Sequence, residues 1–423
     1  GSISGYFRNE CTVKGNGSFV GGIVGQNHSN IVNGRFFNYG EVVGEFTSTG
    51  GIFGFTGSQL IDSENHGDVT HAVGGIAGRN QGTINGCKNY GKVTSTANGT
   101  SAGGEVNNIG AAVGGISGYS NSNVTNCHNY GTIIASNASA VGGILGVAGF
   151  YSNSSWTGYT LRDCTNNASI TGVNYVGGIA GYANQSIFSN DSNLAGFTVQ
   201  GTSFVGGIVG AMQNSSRVEN SPNAANVNAQ TCVGGIVGFI SSNGTVSGSN
   251  NSGKITASGS SNDSRIRIGG IVGAIDGSGQ IENCDNENEV SVSGGTYGVG
   301  GILGYHSGSA DNAVTISNCD NKGTVVGRSE TGGIVGYTDY ATISDCNNTK
   351  AVSGIDQDCL GGIAGKICAG SIVNCINSAV VTGKNKVGGI IGFTNGIEIS
   401  NIINSASVNG NEDVGGLIGH LEG

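Results

Sequence analysis

Proline, tryptophan, methionine and charge are all scarce in this 423-residue sequence, which contains one proline, one tryptophan and one methionine. Charged residues make up 10% of the chain, against roughly 25% in an average globular domain. Glycine does not occupy every third position, which excludes a collagen triple helix. No apolar run approaches the roughly 18 residues that cross a bilayer. We therefore expect no insertion into a membrane.

The formal net charge of −10 is spread thinly along the chain. It leaves no basic face that would attract nucleic acid, so we expect no nucleic-acid partner. Apolar residues at the spacing i, i+3, i+4, i+7 are also missing, and this argues against amphipathic helices. What remains is a chain with 82 glycines and short bursts of Val, Ile and Thr.

A tract of the form VGGIVG recurs along the whole chain at intervals of 24 to 40 residues. Recurrence at such a period is typical of solenoids and other repeat architectures. The first glycine of each pair is found at Gly21, Gly50, Gly74, Gly114, Gly142, Gly177, Gly206, Gly234, Gly269, Gly300, Gly332, Gly361, Gly388 and Gly415.

A second tract, such as ISNCDNKGTV at 316–325, follows the glycine pairs and carries asparagine at one aligned position. That column begins at Asn9 and continues through Asn38, Asn65, Asn89, Asn129, Asn166, Asn193, Asn223, Asn251, Asn286, Asn321, Asn348, Asn377 and Asn404. Because an amide has two donors and two acceptors, stacked asparagines can bond to each other and to a turn backbone. We interpret the column as a structural ladder inside the protein.

Both tracts are rich in β-branched residues and are separated by Asn, Gly and Ser, which favours short strands. The sequence therefore predicts an all-β protein, a single elongated parallel β-helix of about 14 coils with about 30 residues each. Residues 1–423 would form one solenoid domain with a partial coil at each end. The glycine pairs would allow a positive φ or a close approach of neighbouring backbones. No helix follows them, which argues against a nucleotide-binding loop.

Seven of the eleven cysteines stand two residues before a ladder asparagine, at Cys87, Cys127, Cys164, Cys284, Cys319, Cys346 and Cys375. Ile and Phe also occur at this position, so we expect buried thiols that act as small hydrophobes. Stacked neighbours would have Cα atoms about 4.8 Å apart, a separation that allows disulfide bridges without requiring them. Cys359 and Cys368 lie outside the column and are the candidate local disulfide. Zinc-ligand pairs such as CxxC are missing, and the sequence predicts neither a metal nor a cofactor.

The pair of motifs, VGGIVG followed by ISNCxNxGTV, resembles the GLUG-motif repeats of bacterial surface and adhesin-like proteins. The resemblance covers essentially the whole chain. It implies a secreted or cell-surface location and a scaffold role, and it carries over no catalytic residues. On this basis we expect a non-enzymatic, extracellular structural or adhesive rod.

A first alternative is a glycan- or protein-binding module that would recognise a glycan or another host-surface ligand. The insertion at about 147–160 contains Phe150, Tyr151, Trp156 and Tyr159, an unusual concentration in a chain with 6% aromatic residues. Exposed aromatic side chains suit sugar rings or protein partners. A loop that packs on itself is the other interpretation of this insertion.

A polysaccharide-active β-helix enzyme is the second alternative, since such sites need paired carboxylates on one face. The dense acidic stretch contains Glu282, Asp285, Glu287 and Glu289. The last three should project outward, where they would hold a cation or form a solvated face that limits aggregation. The six histidines are scattered, and we expect no catalytic residues.

Fourteen N-x-S/T sequons are candidate glycosylation sites in a secreted protein. They lie at Asn16, Asn27, Asn98, Asn123, Asn137, Asn153, Asn167, Asn184, Asn190, Asn214, Asn243, Asn250, Asn262 and Asn347.

The half-repeats at the two ends of the sequence are complementary: joining VGGLIGHLEG to GSISGYFRNECTV reproduces a complete repeat. Matching open β-edges favour head-to-tail association into a filament. Continuation of the chain in a longer repeat array is the other explanation of the same complementarity.

Overall fold

The computed structural model describes residues 2–45, 48–71, 73–96, 111–149, 158–259, 266–294, 298–354 and 358–422. These residues form short parallel strands, with one 3₁₀ turn at Ala310–Asn312. The chain divides into two compact units, unit 1 (Gly1–Thr202 and Ile208–Ala211) and unit 2 (Ser203–Gly207 and Met212–Gly423). The strand Val209–Gln213 contributes residues to both.

Each unit contains four kinds of parallel sheet, which we name after the residues they carry. Strands of the asparagine sheet end on a ladder asparagine, and strands of the glycine sheet end on the first glycine of a pair. Most strands of the valine sheet begin with Val or Ile, and the wide sheet holds the remaining strands.

In unit 1 the asparagine sheet contains Ser2–Asn9, Asn30–Asn38, Glu64–Asn65, Lys88–Asn89, His128–Asn129, Thr165–Asn166 and Ser192–Asn193. The valine sheet contains Val13–Gly15, Val42–Gly44, Val69–Thr70, Val93–Ser95, Ile133–Ala135, Ile170–Thr171 and Thr198–Gln200. The glycine-sheet strands are Phe19–Gly21, Ser48–Gly50, Ala112–Gly114, Ala140–Gly142 and Val176–Gly177. The wide sheet contains Val24–Asn27, Phe53–Thr56, Leu60–Ile61, Ala77–Asn80, Ile84–Asn85, Ser117–Ser120, Val124–Thr125, Leu145–Ala148, Thr160–Arg162, Ala180–Asn184 and Ile187–Ser189.

In unit 2 the asparagine sheet contains Asp320–Asn321, Asn347–Asn348, Ile376–Asn377 and Ile403–Asn404. The valine sheet contains Asn226–Ala229, Ile255–Ala257, Val290–Val292, Val325–Gly327, Val352–Gly354, Val381–Thr382 and Val408–Asn409. The glycine sheet contains Val205–Gly206, Cys232–Gly234, Arg267–Gly269, Gly298–Gly300, Thr331–Gly332, Asp358–Gly361, Asn385–Gly388 and Glu412–Gly415. The wide sheet contains Arg217–Glu219, Val237–Ser241, Gly244–Ser247, Val272–Asp276, Gly279–Glu282, Leu303–Ser307, Val314–Ser317, Val335–Ser344, Ala364–Val373, Ile391–Thr394, Glu398–Ser400 and Ile418–Leu421.

Equivalent residues of successive repeats pair directly with each other in these sheets. Val69 pairs with Val93, which in turn pairs with Ile133, and all three side chains are fully buried. In unit 2, Ile255 pairs with Val290 in the same manner. Each column of the repeat alignment therefore becomes a continuous row of like side chains, and the apolar rows form the core by removing their surface from water.

The prediction of an all-β parallel β-helix is confirmed. The described residues contain no α-helix, and none of their segments is a helix long and apolar enough to cross a membrane. The assignment of the whole chain to a single domain stays a prediction.

Candidate functional site

The ladder asparagines hydrogen-bond to one another through their side chains in both units. In unit 1, Nδ2 of Asn89 donates to Oδ1 of Asn129 at 2.9 Å and to the carbonyl oxygen of Gly91 at 2.8 Å. In unit 2, Nδ2 of Asn286 donates to Asn321 at 2.9 Å. Both amide hydrogens are thus used inside the protein, and a buried amide engaged in this way is not offered to a ligand.

The structure brings together all the asparagines that the sequence placed in this column, as one ladder in each unit. Neighbouring side chains are joined at 2.8–3.0 Å throughout. The ladder of unit 1 is Asn9, Asn38, Asn65, Asn89, Asn129, Asn166 and Asn193, and that of unit 2 is Asn223, Asn251, Asn286, Asn321, Asn348, Asn377 and Asn404.

The second glycine of most pairs makes room for the ladder, although a Cβ on Gly416 of the last pair would have no atom within 4 Å. A Cβ atom built on Gly115 would lie 2.5 Å from Cγ of Asn129 and would also overlap the carbonyl oxygen of Gly143. None of the paired glycines in the described residues has a positive φ. Of the two roles expected for the pairs, the close approach is therefore the one the structure uses.

The cysteine column is buried, and each thiol bonds within its own coil. Sγ of Cys319 lies 3.2 Å from the carbonyl oxygen of Ser317, and Cys346 makes the same contact with Ser344 at 3.1 Å. All seven column cysteines have no exposed surface. Where serine takes the position, its hydroxyl donates to the equivalent carbonyl, as Ser63 does to Ile61 at 2.8 Å. The column side chain therefore closes a turn.

In that turn, the residue directly before the column position adopts a left-handed backbone conformation. Our sequence analysis did not predict this conformation. Asn126, Asn283 and Asn318 adopt φ values of 50°, 53° and 51° there, and Gly86 adopts 70°. Asn and Gly tolerate this conformation better than other residues. The recurring Asn, Asp or Gly at this position was the available signal.

The candidate disulfide between Cys359 and Cys368 is not present. All eleven cysteines lie in the described residues and are thiols. Cys359 belongs to a glycine-sheet strand, whereas Cys368 belongs to a wide-sheet strand and lies 3.9 Å from the hydroxyl of Tyr337. The glycine turn between them leads the two cysteines into different sheets. In the cysteine column, burial raises the pKa of Cys127, so this thiol is a poor nucleophile.

One carboxyl group is buried in the cysteine column. Asp191 takes the column position in the coil that follows the coil of Cys164. Its carboxylate accepts a hydrogen bond from the Cys164 backbone N–H at 2.8 Å. Its side chain is fully buried, and burial raises the pKa of Asp191 to about 7. Its place in an interior column makes it a structural group with an unusual titration.

The acidic stretch of unit 2 is balanced by lysines. Asp285 is 2.5 Å from Nζ of Lys322, and Glu289 is 3.1 Å from Nζ of Lys254. Asp285 and Glu289 are half-buried and Glu287 is exposed. In the described part of the chain, no group of three His, Cys, Asp or Glu side chains is placed to hold a metal ion.

A shallow groove of about 370 Å³ lies on the wide sheet of unit 2. Its lining includes Asn243, Thr245, Ser278, Gln280 and Thr315, and none of its lining residues is titratable. Such a groove offers hydrogen bonds but no general acid or base.

The candidate ligand-binding residues Phe150, Tyr151 and Trp156 lie outside the described residues. Tyr159 is described and is half-buried. The prediction of an aromatic binding site at 147–160 thus stays a prediction.

Two of the candidate glycosylation sites have buried side chains. Asn27 is 5% exposed and its amide bonds to the backbone of Ser29, while Asn184 has no exposed surface. Half-buried sequon asparagines are Asn167, Asn250 and Asn347. Exposed ones are Asn16, Asn123, Asn137, Asn190, Asn214 and Asn243. Asn98, Asn153 and Asn262 lie outside the described residues.

A row of aromatic rings on the surface of unit 1 also escaped our sequence analysis. The rings of Tyr39, His66, Tyr90 and Tyr130 stack in order at centroid distances of 4.5, 4.6 and 4.9 Å. We call these four residues the tyrosine stripe. Each directly follows a ladder asparagine. The recurrence of aromatic residues at this outward-facing position could have predicted the row.

The tyrosine stripe presents ring edges rather than faces. Neighbouring rings cover each other, and the guanidinium of Arg8 lies 4.6 Å from the centroid of Tyr39. The three tyrosines are nevertheless 39–41% exposed. Sugar rings stack on aromatic faces, so the geometry suits contacts with a polar or aromatic protein surface better than a sugar platform.

Charged side chains flank the tyrosine stripe. Glu64 lies 3.0 Å from His66 and 3.4 Å from Nζ of Lys88. On the other side, Oδ1 of Asp68 accepts from the backbone N–H of Lys92 at 2.9 Å. Interaction with the neighbouring Tyr90 is the largest cause that raises the pKa of Lys88.

Comparison with known proteins found no matching protein-family model, no matching curated protein and no matching solved structure.

Proposed function

We propose that the chain is a non-enzymatic structural and adhesive repeat scaffold that works outside the cell, at the cell surface. The proposal rests on the observation that the recurring polar side chains form their hydrogen bonds inside the protein. The ladder amides bond to each other, and the column thiols bond to their own coil. The asparagine that recurs in every repeat therefore joins successive coils, and the column thiols close turns within a coil, so both serve the architecture of a scaffold.

The extracellular location rests on the resemblance of the VGGIVG and ISNCxNxGTV motifs to the GLUG repeats. It is tested on intact cells of the source organism with an antibody against the chain and with external protease. We expect labelling and cleavage without permeabilisation. Labelling only after lysis would refute the location and leave the scaffold role standing.

Head-to-tail assembly, or continuation in a longer repeat array, belongs to the same proposal. The strands that contain Ile403 and Leu421 lie at the edge of their sheets, and these side chains are 54% and 61% exposed. Sheet edges carry backbone groups that can pair with a further strand. Electron microscopy of the purified chain should show filaments if copies add to each other and single particles if they do not.

The scaffold proposal excludes polysaccharide cleavage, which gives it a direct test. Glu287 and Glu289 would be the carboxylates of such an enzyme, yet Glu289 is paired with Lys254. We expect no release of reducing ends or unsaturated products from a panel of polyuronates and neutral polysaccharides. Activity that disappears in Glu287→Gln or Glu289→Gln would establish an enzyme instead.

Glycan binding by the 147–160 insertion is the second candidate, favoured by the only tryptophan of the chain. A glycan array that compares the natural chain with Trp156→Ala tests it. Loss of a signal in the variant supports the binding module, and equal signals remove it. Mass spectrometry of the chain from its source should find N-glycans, if any, on exposed sequons such as Asn123 and Asn190.

A further inference from the structure

The charges beside the tyrosine stripe form a self-complementary pattern. Glu64 and Asp68 flank His66 in one coil, and Lys88 and Lys92 flank Tyr90 in the next coil. One coil thus carries two negative charges and its neighbour two positive charges, at equivalent positions on either side of the stripe. Glu64 and Lys88 are half-buried, while Asp68 and Lys92 are exposed.

We propose that two copies of this chain associate side by side and antiparallel through the tyrosine stripe of unit 1. The two-fold axis lies in the plane of the interface and crosses the stripe between His66 and Tyr90. It reverses the order of the coils in the second copy. The side of the stripe that carries Glu64 and Lys88 then faces the same side of the second copy, and the side that carries Asp68 and Lys92 does likewise. Such an isologous contact matches every residue with its symmetry partner.

Under this symmetry each charge meets the opposite charge. Glu64 faces Lys88 of the second copy, and Asp68 faces Lys92 of the second copy, with each pair occurring twice. His66 then faces Tyr90 of the second copy. A parallel arrangement would instead place like charges opposite each other, which is unfavourable.

The next coils on either side extend the contact without opposing it. Tyr39 faces Tyr130 of the second copy, and Phe37 faces His128. Burial lowers the pKa of His128, which keeps this ring neutral at neutral pH. Tyrosine is enriched at protein interfaces and among their hot spots, and stacked rings lose little conformational freedom on contact.

The contact involves few coils, and its charges are exposed or half-buried, so it should be weak and sensitive to salt. We expect a monomer–dimer equilibrium with a dissociation constant of roughly micromolar or weaker. Raising the salt concentration from 50 to 500 mM should weaken it by about tenfold or more. Sedimentation equilibrium of the whole chain measures both quantities.

Two charge-reversal variants provide the decisive test. Lys88→Glu with Lys92→Glu makes both coils acidic, and Glu64→Lys with Asp68→Lys makes both basic. Each variant alone should be monomeric, and an equimolar mixture should form a heterodimer with all four pairs restored. Circular dichroism verifies the fold of each variant, which should be retained because the substituted side chains lie on the surface.

Further variants separate this contact from other kinds of association. Tyr90→Ala should weaken the dimer about tenfold with the charges unchanged, whereas Lys254→Glu, in unit 2, should have no effect. Association that persists unchanged in both charge-reversal variants, as head-to-tail assembly would, overturns the proposal. A monomeric natural chain at 50 mM salt, or a mixture that stays monomeric, overturns it as well.

Discussion

Gly115 and Asn129 pack directly against each other inside one coil of unit 1. A Cβ atom on the glycine would lie 2.5 Å from Cγ of the asparagine. The two motifs that recur along the sequence are therefore halves of one contact, repeated as Gly75 with Asn89 and as Gly301 with Asn321. The ladder amides can align because the glycine backbone opposite them has no side chain.

The first prediction concerns the substitution Gly115→Ala. The new methyl group overlaps Asn129 and the carbonyl oxygen of Gly143, so we expect a loss of several kcal/mol or a failure of unit 1 to fold. Limited proteolysis and hydrogen exchange across residues 111–149 measure it. Gly17→Ala is the control, since a Cβ there has no atom within 4 Å. Equal stability of the two variants would contradict the packing.

The second prediction concerns the ladder itself. Asn129→Ala leaves the Asn89 amide, the Asn166 side-chain oxygen and the Gly131 carbonyl without their hydrogen bonds to Asn129. Each buried group without a partner costs about 1–3 kcal/mol. We expect the free energy of unfolding of unit 1 to fall by at least about 2 kcal/mol in urea titrations.

Asn167→Ala is the matched control for the ladder variant, because Asn167 is the next residue after Asn166 and points outward. It should change the free energy of unfolding by less than about 0.5 kcal/mol. A ladder that only fills space would also tolerate Asn129→Leu, and such tolerance would refute the role of the amide bonds.

The third prediction concerns the cysteine column. Cys319→Ser should cost less than about 1 kcal/mol, because serine makes the same bond to the carbonyl two residues earlier at Ser63. In the native chain, iodoacetamide should label the exposed Cys11 and spare the column cysteines. Peptide mapping after alkylation in denaturant also tests the disulfide, since Cys359 and Cys368 should both carry the label.

The fourth prediction is a pH dependence from Asp191. Its pKa rises from 3.8 in the unfolded chain to about 7 in the folded protein. Between these values the folded state holds a proton that the unfolded state has lost, so stability falls as the pH rises from about 4 to about 7. Three pH units at about 1.4 kcal/mol each correspond to about 4 kcal/mol. Asp191→Asn should flatten this part of the stability curve.

The fifth prediction concerns His306 in unit 2, where the free energy of unfolding should rise, and not fall, with increasing pH. His306 is fully buried, and its ring contacts Thr338 at 2.8 Å and the carbonyl oxygens of Gly277 and Asn312 at 3.0 and 3.1 Å. Burial lowers the pKa of His306. The buried neutral ring therefore contributes to the free energy of unfolding above pH 6.5, the ordinary pKa of histidine. This contribution is lost as the pH falls through the pKa of His306 in the folded protein.

Hydrogen exchange around residues 303–317 at pH 7.5 and pH 5 measures the effect of His306. Protection should decrease at the lower pH in the natural chain. His306→Gln should remove that difference, because an amide can donate and accept similar bonds without titrating. An unchanged pH response in this variant would assign the effect to another group.

The period of the repeat, the class of fold and the members of the ladder could be read from the sequence. In parallel strands that pair in register, a column of the alignment is also a row in space, as Asn89 and Asn129 illustrate. Contacts across a coil could not be read in this way. Nothing in the spacing of Gly115 and Asn129 says that they touch, and Asn27 and Asn184 match exposed sequons in every local respect.

The sequence by itself determined which residues are stacked on which, because the repeat length and the two-residue alternation of strands specify the columns. Only the tertiary structure decided what each column faces. The turns determine whether Cys359 and Cys368 lie in the same sheet. They also determine whether the tyrosine rings present faces or edges to solvent, and which charged side chains lie beside those rings. Those outcomes depend on how the chain bends around the coil, and the bend arises from contacts between residues that are distant along the repeat.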